Sequence, residues 1–109
     1  MDLGDLLIDR LGITPPSLVS LVGGGGKTTL MHALFEAGIA RGWRCAAGTT
    51  TKVYAHQADG LPGFLYSASE GDKLIGVPPG FVDDWFDDEQ PDLLVVEADG
   101  SRGRRVKAP

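Results

Sequence analysis

Apolar positions along the chain predict strands that alternate with helices. Two short runs, residues 17–22 (S-L-V-S-L-V) and 92–98 (D-L-L-V-V-E-A), are almost continuously apolar. This pattern is typical of strands that are buried on both faces of a parallel sheet. Residues 27–41 instead repeat apolar positions at helical spacing, which predicts a crossover helix. The side chains that we expect to face the sheet from this helix are Leu30, Met31, Leu34, Phe35 and Ile39.

Weaker patterns predict the remaining elements. We expect Pro15 and Pro16 to end the first helix, and Phe81, Trp85 and Phe86 to point inward from the last one. The alternation of strands and helices favours one mainly parallel sheet with helices on both faces. The additional predicted elements are a helix over residues 3–11, a strand over 43–49, short strands over 63–67 and 73–77, and a helix over 80–87.

A glycine-rich segment joins the first strand to the crossover helix. This layout predicts a phosphate-binding loop, in which backbone N–H groups surround an anion and the helix N-terminus adds its dipole. Lys27 would contact the β- and γ-phosphates, and the Thr28 hydroxyl would bind Mg²⁺. Thr29 would either contact the α-phosphate or only begin the helix. The segment consists of Gly23, Gly24, Gly25, Gly26, Lys27, Thr28 and Thr29.

The match to this loop is imperfect, and the residues also allow other interpretations. The full pattern G-x-x-x-x-G-K-[ST] requires glycine at position 21, where this chain has Leu21. Leu21 would then end the strand, and Gly23 would make the turn. A dinucleotide fingerprint is disfavoured because its third glycine would fall on Thr28. The plainest alternative is a glycine-rich turn followed by a lysine that only lies on a helix.

The carboxyl ends of parallel strands meet at one edge of a sheet, where ligands bind. That edge would carry the glycine loop, residues 49–52 and the end of the last strand. Glu97 stands where the apolar run stops, and we predict that it is the carboxylate partner of Mg²⁺. Asp99 would share the metal or orient an attacking water, and the two roles are exchangeable. Alternatively, Asp99 only forms a turn with Gly100.

Several other polar residues near this edge have two interpretations each. Thr50 and its neighbours Thr49 and Thr51 would give their hydroxyls to metal or phosphate, or serve only as strand formers. Arg102 would bind a phosphate or a substrate carboxylate bidentately, or lie in water. Lys52 would contact phosphate or solvent. The acidic cluster over residues 83–89 is better interpreted as a solvated helix face than as a metal site.

Composition limits the possible classes of protein. A chain of 109 residues is one small domain or part of one. The net charge of −5 argues against non-specific nucleic-acid binding, and no stretch is long enough to span a bilayer. Cys45, the single cysteine, cannot form an internal disulfide, which favours a reducing cytoplasm. We interpret Cys45 as a small apolar strand residue rather than a redox or metal-binding thiol.

Taken together, several strings of residues resemble a known family. The chain resembles the selenium-dependent hydroxylase accessory proteins (YqeC-like), also described as selenium cofactor biosynthesis proteins. The glycine-lysine string alone is shared by many nucleoside triphosphatases, and the E-A-D-G-S-R-G string makes the resemblance specific. The strings are residues 21–29 (L-V-G-G-G-G-K-T-T), 48–52 (G-T-T-T-K), 96–103 (V-E-A-D-G-S-R-G) and 107–109 (K-A-P).

The resemblance implies an α/β fold, a P-loop NTPase-like three-layer sandwich, and a role in the maturation of molybdenum hydroxylases that carry a labile selenium. It carries the nucleotide loop onto residues 23–29 and the acidic strand end onto Glu97 and Asp99. Family members continue past the K-A-P string, so we expect residues 1–109 to be one partial P-loop domain from the N-terminal part of a longer protein. Arg104 and Arg105 replace a stretch expected to be less charged.

Three functions therefore follow as hypotheses. The first is a Mg²⁺-dependent ATPase, GTPase or phosphoryl-transfer factor in which Lys27 and Asp99 act in catalysis. The second is a non-catalytic module that binds nucleotide and changes its contacts with a molybdenum hydroxylase or its maturation factors. The third is a binder of a phosphorylated metabolite or pterin cofactor. Without a base-reading motif, the sequence does not distinguish ATP from GTP.

Overall fold

The computed structural model describes residues 2–23, 26–98 and 104–108. Within these ranges the chain is a mixed α/β protein. Its helices are α1 (Leu3–Leu11), α2 (Lys27–Ala40) and α3 (Pro79–Glu89), with a short 3₁₀ turn at Ala55–Ala58. Its strands are β1 (Ser17–Gly23), β2 (Cys45–Thr49), β3 (Val53–Tyr54), β4 (Ala68–Glu70), β5 (Lys73–Ile75), β6 (Leu93–Glu97) and β7 (Arg104–Ala108).

The main sheet has four strands in the order β2-β6-β1-β7, and every neighbouring pair is parallel. Glu97 at the end of β6 is in register with Leu21 of β1 on one side and Thr49 of β2 on the other. The prediction of a mainly parallel sheet is therefore confirmed. This register brings the ends of three strands together at one edge.

Both faces of the sheet are covered, as the continuous apolar runs predicted. Along β6, Leu93 and Val95 face a core shared with α1 and α2, while Leu94 and Val96 face a core shared with α3. All four side chains are fully buried. Because side chains alternate along a strand, a strand buried on both faces has to be apolar at every position.

Helix α1 has the predicted bounds, but the prediction that Pro15 and Pro16 end it is wrong. The helix ends at Gly12, which has a φ of 63°. The Ile13 N–H reaches back to the Ile8 carbonyl at 3.0 Å, and the Gly12 N–H lies 3.3 Å from the Asp9 carbonyl. These bonds satisfy carbonyls that the helix leaves unpaired, so the chain has already left the helix before the prolines.

Two predicted core side chains face solvent instead. Ile39 is 50% exposed and Phe81 is 46% exposed. In α2 the buried residues near this end are Ala37 and Gly38 rather than Ile39. The helix is close to β2 here, because a Cβ at Gly38 would lie only 2.5 Å from the Cys45 Sγ. The helix approaches β2 that closely at Gly38, and the next residue is rotated away from the sheet. In α3 it is Val82 that occupies the core, fully buried.

The segment between β2 and α3 forms a small antiparallel sheet in the order β3-β5-β4. The predicted strand over residues 63–67 is wrong, because Leu65 makes only an isolated bridge to Gly48 and β4 lies further on at Ala68–Glu70. The strand predicted over 73–77 is confirmed for Lys73–Ile75. Strand β7 lies in the basic segment, for which the sequence predicted no element.

Candidate functional site

The glycine segment begins and ends in conformations that favour glycine. Gly23 ends β1 with a φ of 103°, and Gly26 precedes α2 with a φ of 88°. Residues with a β-carbon rarely adopt such angles. Gly24 and Gly25 lie outside the described residues. Leu21 is fully buried within β1, two residues before the strand ends, so the position that departs from the full loop pattern belongs to the strand.

The N-terminus of α2 lies directly after this turn. Lys27 is its first residue, and the Leu30 N–H donates to the Gly26 carbonyl at 3.1 Å. Among the described residues, no side chain caps this end, and the first turn contains no acidic residue. The first N–H groups of a helix have no partner within the helix, and its dipole is positive there. Such an end suits a bound anion.

A hydroxyl and a carboxylate meet beside this helix end. The Thr28 Oγ1 lies 3.3 Å from the Glu97 Oε1, although the two residues are 69 positions apart in the chain. Glu97 is only 5% exposed. Burying a carboxylate is costly unless positive charge or hydrogen bonds compensate it. The two oxygens are therefore suitable ligands for a hard cation, which prefers carboxylate and hydroxyl oxygens.

Backbone contacts hold the end of β2 next to Glu97. The Thr50 N–H donates to the Glu97 carbonyl at 3.0 Å, which places Thr50 at the same edge. The Thr49 hydroxyl accepts from the Thr51 N–H at 3.0 Å and lies 3.3 Å from the Glu97 carbonyl. Lys52 forms an exposed ion pair with Glu70 at 3.2 Å, so its ammonium group contacts the small sheet.

Gln57 is a residue of this site that sequence reasoning missed. Its Oε1 accepts from the Tyr54 N–H at 2.7 Å, and its Nε2 donates to the Thr28 Oγ1. The His32 Nε2 lies 3.0 Å from the Gln57 carbonyl oxygen and must donate, because a carbonyl only accepts. Gln57 lies on the 3₁₀ turn after β3 and belongs to no motif, so no signal in the sequence identifies it.

These contacts determine which groups donate and which accept in the hydrogen bonds around Thr28. The Tyr54 N–H fixes which end of the Gln57 amide faces Thr28, so the amide donates to the hydroxyl. The Thr28 hydroxyl proton then points to Glu97, whose carboxylate accepts. A hydroxyl oxygen has two lone pairs, and one of them remains for a cation.

The structure brings most of the predicted site residues to one edge of the sheet. Asp99, Arg102, Gly24 and Gly25 lie outside the described residues. In the described ranges, no group of three or more His, Cys, Asp or Glu side chains could hold a metal ion. A cation at Thr28 and Glu97 would thus need further oxygens from its ligand and from water. The residues found together are Gly23, Gly26, Lys27, Thr28, Thr29, Thr50 and Glu97.

Fold and site together define an α/β protein in which a glycine-rich turn and a helix N-terminus lie at the carboxyl edge of a parallel sheet. A family model described as YqeC protein matches residues 19–71. An uncharacterized protein YqeC of Escherichia coli (strain K12) is 32% identical over an alignment of 130 residues, which covers 100% of this chain and 50% of the relative. The chain is thus similar to the YqeC protein over these ranges.

The matches cover only part of the relative and only part of the candidate site. The chain spans about half the length of the curated relative that it matches. The matched range 19–71 includes the glycine segment and Gln57 and ends before Glu97. No solved structure gives a significant match. No helix within the described ranges is long and apolar enough to cross a membrane.

Proposed function

We propose that this chain is a P-loop domain that binds the Mg²⁺ complex of ATP or GTP at the carboxyl edge of its parallel sheet. The observation that carries the proposal is the 3.3 Å approach of the Thr28 Oγ1 to the buried Glu97 Oε1, beside the N-terminus of α2. The glycine turn and the helix end are adjacent in the chain, whereas the acidic strand end lies about seventy positions further on. Their meeting at one point is expected of a phosphate and metal site.

Each residue would have a defined part in binding. The N–H groups of the glycine turn and of the first turn of α2 would hold the phosphate oxygens. Lys27 would neutralise charge on the β- and γ-phosphates, and Thr29 would lie near the α-phosphate. Thr28 and Glu97 would hold Mg²⁺, which supplies electrostatic stabilisation of negative charge on the phosphates. Asp99 would orient a nucleophile.

The cellular role in this proposal comes from the family resemblance. We place the chain in the maturation of a selenium-dependent molybdenum hydroxylase, as an NTPase or a phosphoryl-transfer accessory factor. The YqeC-like matches and the E-A-D-G-S-R-G string support the choice of family. The chain spans half of its relative, and the activity assigned to the whole protein is part of this proposal.

The test is calorimetric titration with ATP and GTP, each with and without Mg²⁺. Lys27→Ala removes the proposed phosphate contact, and we expect affinity to fall about 10- to 100-fold, since a hydrogen bond to a charged group contributes about 1.5–3 kcal/mol. Lys73→Ala is the matched control, because Lys73 lies over the Tyr54 ring in the small sheet. Unchanged affinity in Lys27→Ala would overturn the proposal.

Gln57 favours a second candidate function, a nucleotide-dependent switch without useful hydrolysis. Its contacts join Thr28 to the start of the 3₁₀ turn beside the small sheet. A ligand that recruits the Thr28 hydroxyl would therefore act on that surface as well. Slow or absent phosphate release, together with nucleotide-dependent capture of a molybdenum hydroxylase, would favour the switch over the enzyme.

A further inference from the structure

A groove of about 480 Å³ lies between the start of α1 and the first turns of α2. The two helices touch directly along it, because a Cβ at Gly4 would lie 2.1 Å from the Ala33 carbonyl oxygen. Cavities of about 300–1,000 Å³ are typical of sites for small organic ligands. The groove is therefore large enough for a sugar and a base.

The groove is continuous with the candidate phosphate site. Thr28 and Thr29 both line it, and the Thr28 hydroxyl also lies 3.3 Å from Glu97. A ligand whose phosphates occupy the glycine turn and whose α-phosphate lies near Thr29 would enter the groove with its next chemical group. In a nucleotide, that group is the ribose and then the base.

Beyond Thr28 and Thr29, the lining is unsuited to phosphate and suited to a nucleoside. Asp2 and Glu36 both contribute carboxylates, which repel phosphate and accept hydrogen bonds from hydroxyl and amino groups. The Asp2 Oδ1 already accepts from the Asp5 N–H at 2.8 Å as the cap of α1. Glu36 is exposed and has no ion-pair partner within the described ranges.

The groove also offers non-acidic surface. Leu3 is 43% exposed on one wall, and the half-buried His32 ring lies on the other side. An apolar side chain and an imidazole suit the faces of a planar heterocycle. Carboxylates for hydroxyls and apolar surface for a ring are together the requirements of a ribonucleoside.

We propose that this groove binds the ribonucleoside part of a nucleotide whose phosphates lie at the glycine turn, an inference that rests on the proposed function. Glu36 accepts hydrogen bonds from the ribose hydroxyls or from an exocyclic amino group. Leu3 and His32 contact the apolar faces of the sugar and base. The groove thus makes a nucleoside triphosphate a better ligand than a bare polyphosphate.

The experiment compares ATP and GTP with inorganic tripolyphosphate, all as Mg²⁺ complexes, by calorimetry. Glu36→Gln removes the charge and keeps the size and helix propensity of the side chain. We expect it to lower the ratio of nucleotide affinity to tripolyphosphate affinity about fivefold or more, the loss of one charged hydrogen bond. Leu3→Ala should lower the same ratio by a smaller factor.

Matched controls come from the same kinds of position. Leu6 is an exposed leucine of α1 outside the groove, and Glu89 is an exposed glutamate of α3. Leu6→Ala and Glu89→Gln should leave the ratio within about twofold, as expected of surface substitutions away from a site. A ratio unchanged in both Glu36→Gln and Leu3→Ala would overturn the groove proposal.

The test separates failure of the groove from failure of the phosphate site. If Lys27→Ala weakens tripolyphosphate while the groove variants leave the affinity ratio unchanged, the phosphate site stands and the groove proposal falls. If the wild-type protein binds neither tripolyphosphate nor either nucleotide, both proposals fall.

Discussion

The two ends of β6 carry carboxylates with different surroundings. At the amino end, the Asp92 Oδ2 accepts from the Arg44 N–H at 2.8 Å, and the Asp92 carbonyl accepts from the Ser17 N–H at 3.0 Å. At the carboxyl end, Glu97 is almost fully buried and lies 3.3 Å from the Thr28 hydroxyl. Asp92 precedes β6 and Glu97 ends it, so only four residues separate two very different acids.

The hydrogen-bond donor beside each carboxylate distinguishes the roles of the two acids. A backbone N–H that binds Asp92 ties the start of β2 to the start of β6, which is a structural task. A side-chain hydroxyl can instead turn a lone pair toward a cation, and the hydroxyl of Thr28 follows a glycine turn. Asp92 therefore joins the starts of β2 and β6, whereas Glu97 is the acid that the proposed function assigns to the cation.

The sharpest way to break this comparison is Glu97→Gln. Glutamine keeps the size and an acceptor for Thr28 but removes the charge that would hold Mg²⁺. We expect the Mg²⁺-dependent part of nucleotide affinity to fall about 10- to 100-fold, the scale of a charged interaction. Calorimetry with Mg²⁺ and with EDTA measures it. Circular dichroism checks the fold, and an unaltered Mg²⁺ dependence would contradict the role of Glu97.

At the other end of β6, Asp92→Ala should change the stability of the protein and leave ligand binding unchanged. It removes a charge-assisted hydrogen bond, so we expect the free energy of unfolding to fall by about 1.5–3 kcal/mol. Nucleotide affinity should not change. Urea denaturation measures the first quantity and calorimetry the second. Asp88→Ala on the exposed face of α3 is the control, with an expected change within about 0.5 kcal/mol.

Long continuous patterns were the part of the fold that sequence could predict. The runs that became β1 and β6, and the helical spacing of α2, depend on local periodicity and burial, and their parallel arrangement follows from their alternation. The meeting of Thr28 with Glu97 was predictable too, because parallel strands end at a common edge. These features need no knowledge of the path of the loops.

The missed features depend on that path. All three residues of β4 are exposed, so the strand has no alternation to reveal it. The segment of β7 reads as a basic tail because no apolar run marks it. Gln57 reaches Thr28 only because β3 and the 3₁₀ turn bring it to the start of α2. Such contacts arise from tertiary structure and leave no local pattern.

A smaller effect is expected from Gln57→Ala. The variant removes the amide that orients the Thr28 hydroxyl and leaves the hydroxyl and Glu97 in place. We expect Mg²⁺-dependent nucleotide affinity to fall about threefold to tenfold, the value of one ordinary hydrogen bond. His56→Ala on the same turn is the control, since His56 packs against Tyr54 at 5.6 Å. Equal effects of the two variants would assign Gln57 a merely structural part.

The smallest expected effect is that of the Asp92 charge on the pKa of Cys45. Burial, and then the negative charge of Asp92, raise the pKa of the Cys45 thiol from 9.0 to about 11. Folding thus favours the protonated thiol. The contribution of this pKa shift to stability is full below pH 9 and is lost as the pH rises through 11. A small fall in melting temperature over this range, absent in Cys45→Ala, is the expected result.

Asp92→Asn sharpens the same point, because it removes the charge and retains an acceptor for the Arg44 N–H. The pKa of Cys45 should then fall but stay above 9.0, since burial is the larger cause. Cys45 is the single cysteine, so its alkylation rate against pH reports this value without ambiguity. If Asp92→Asn left the thiol unchanged but weakened nucleotide binding, the charge of Asp92 would act at the ligand edge, and the division of roles along β6 would be wrong.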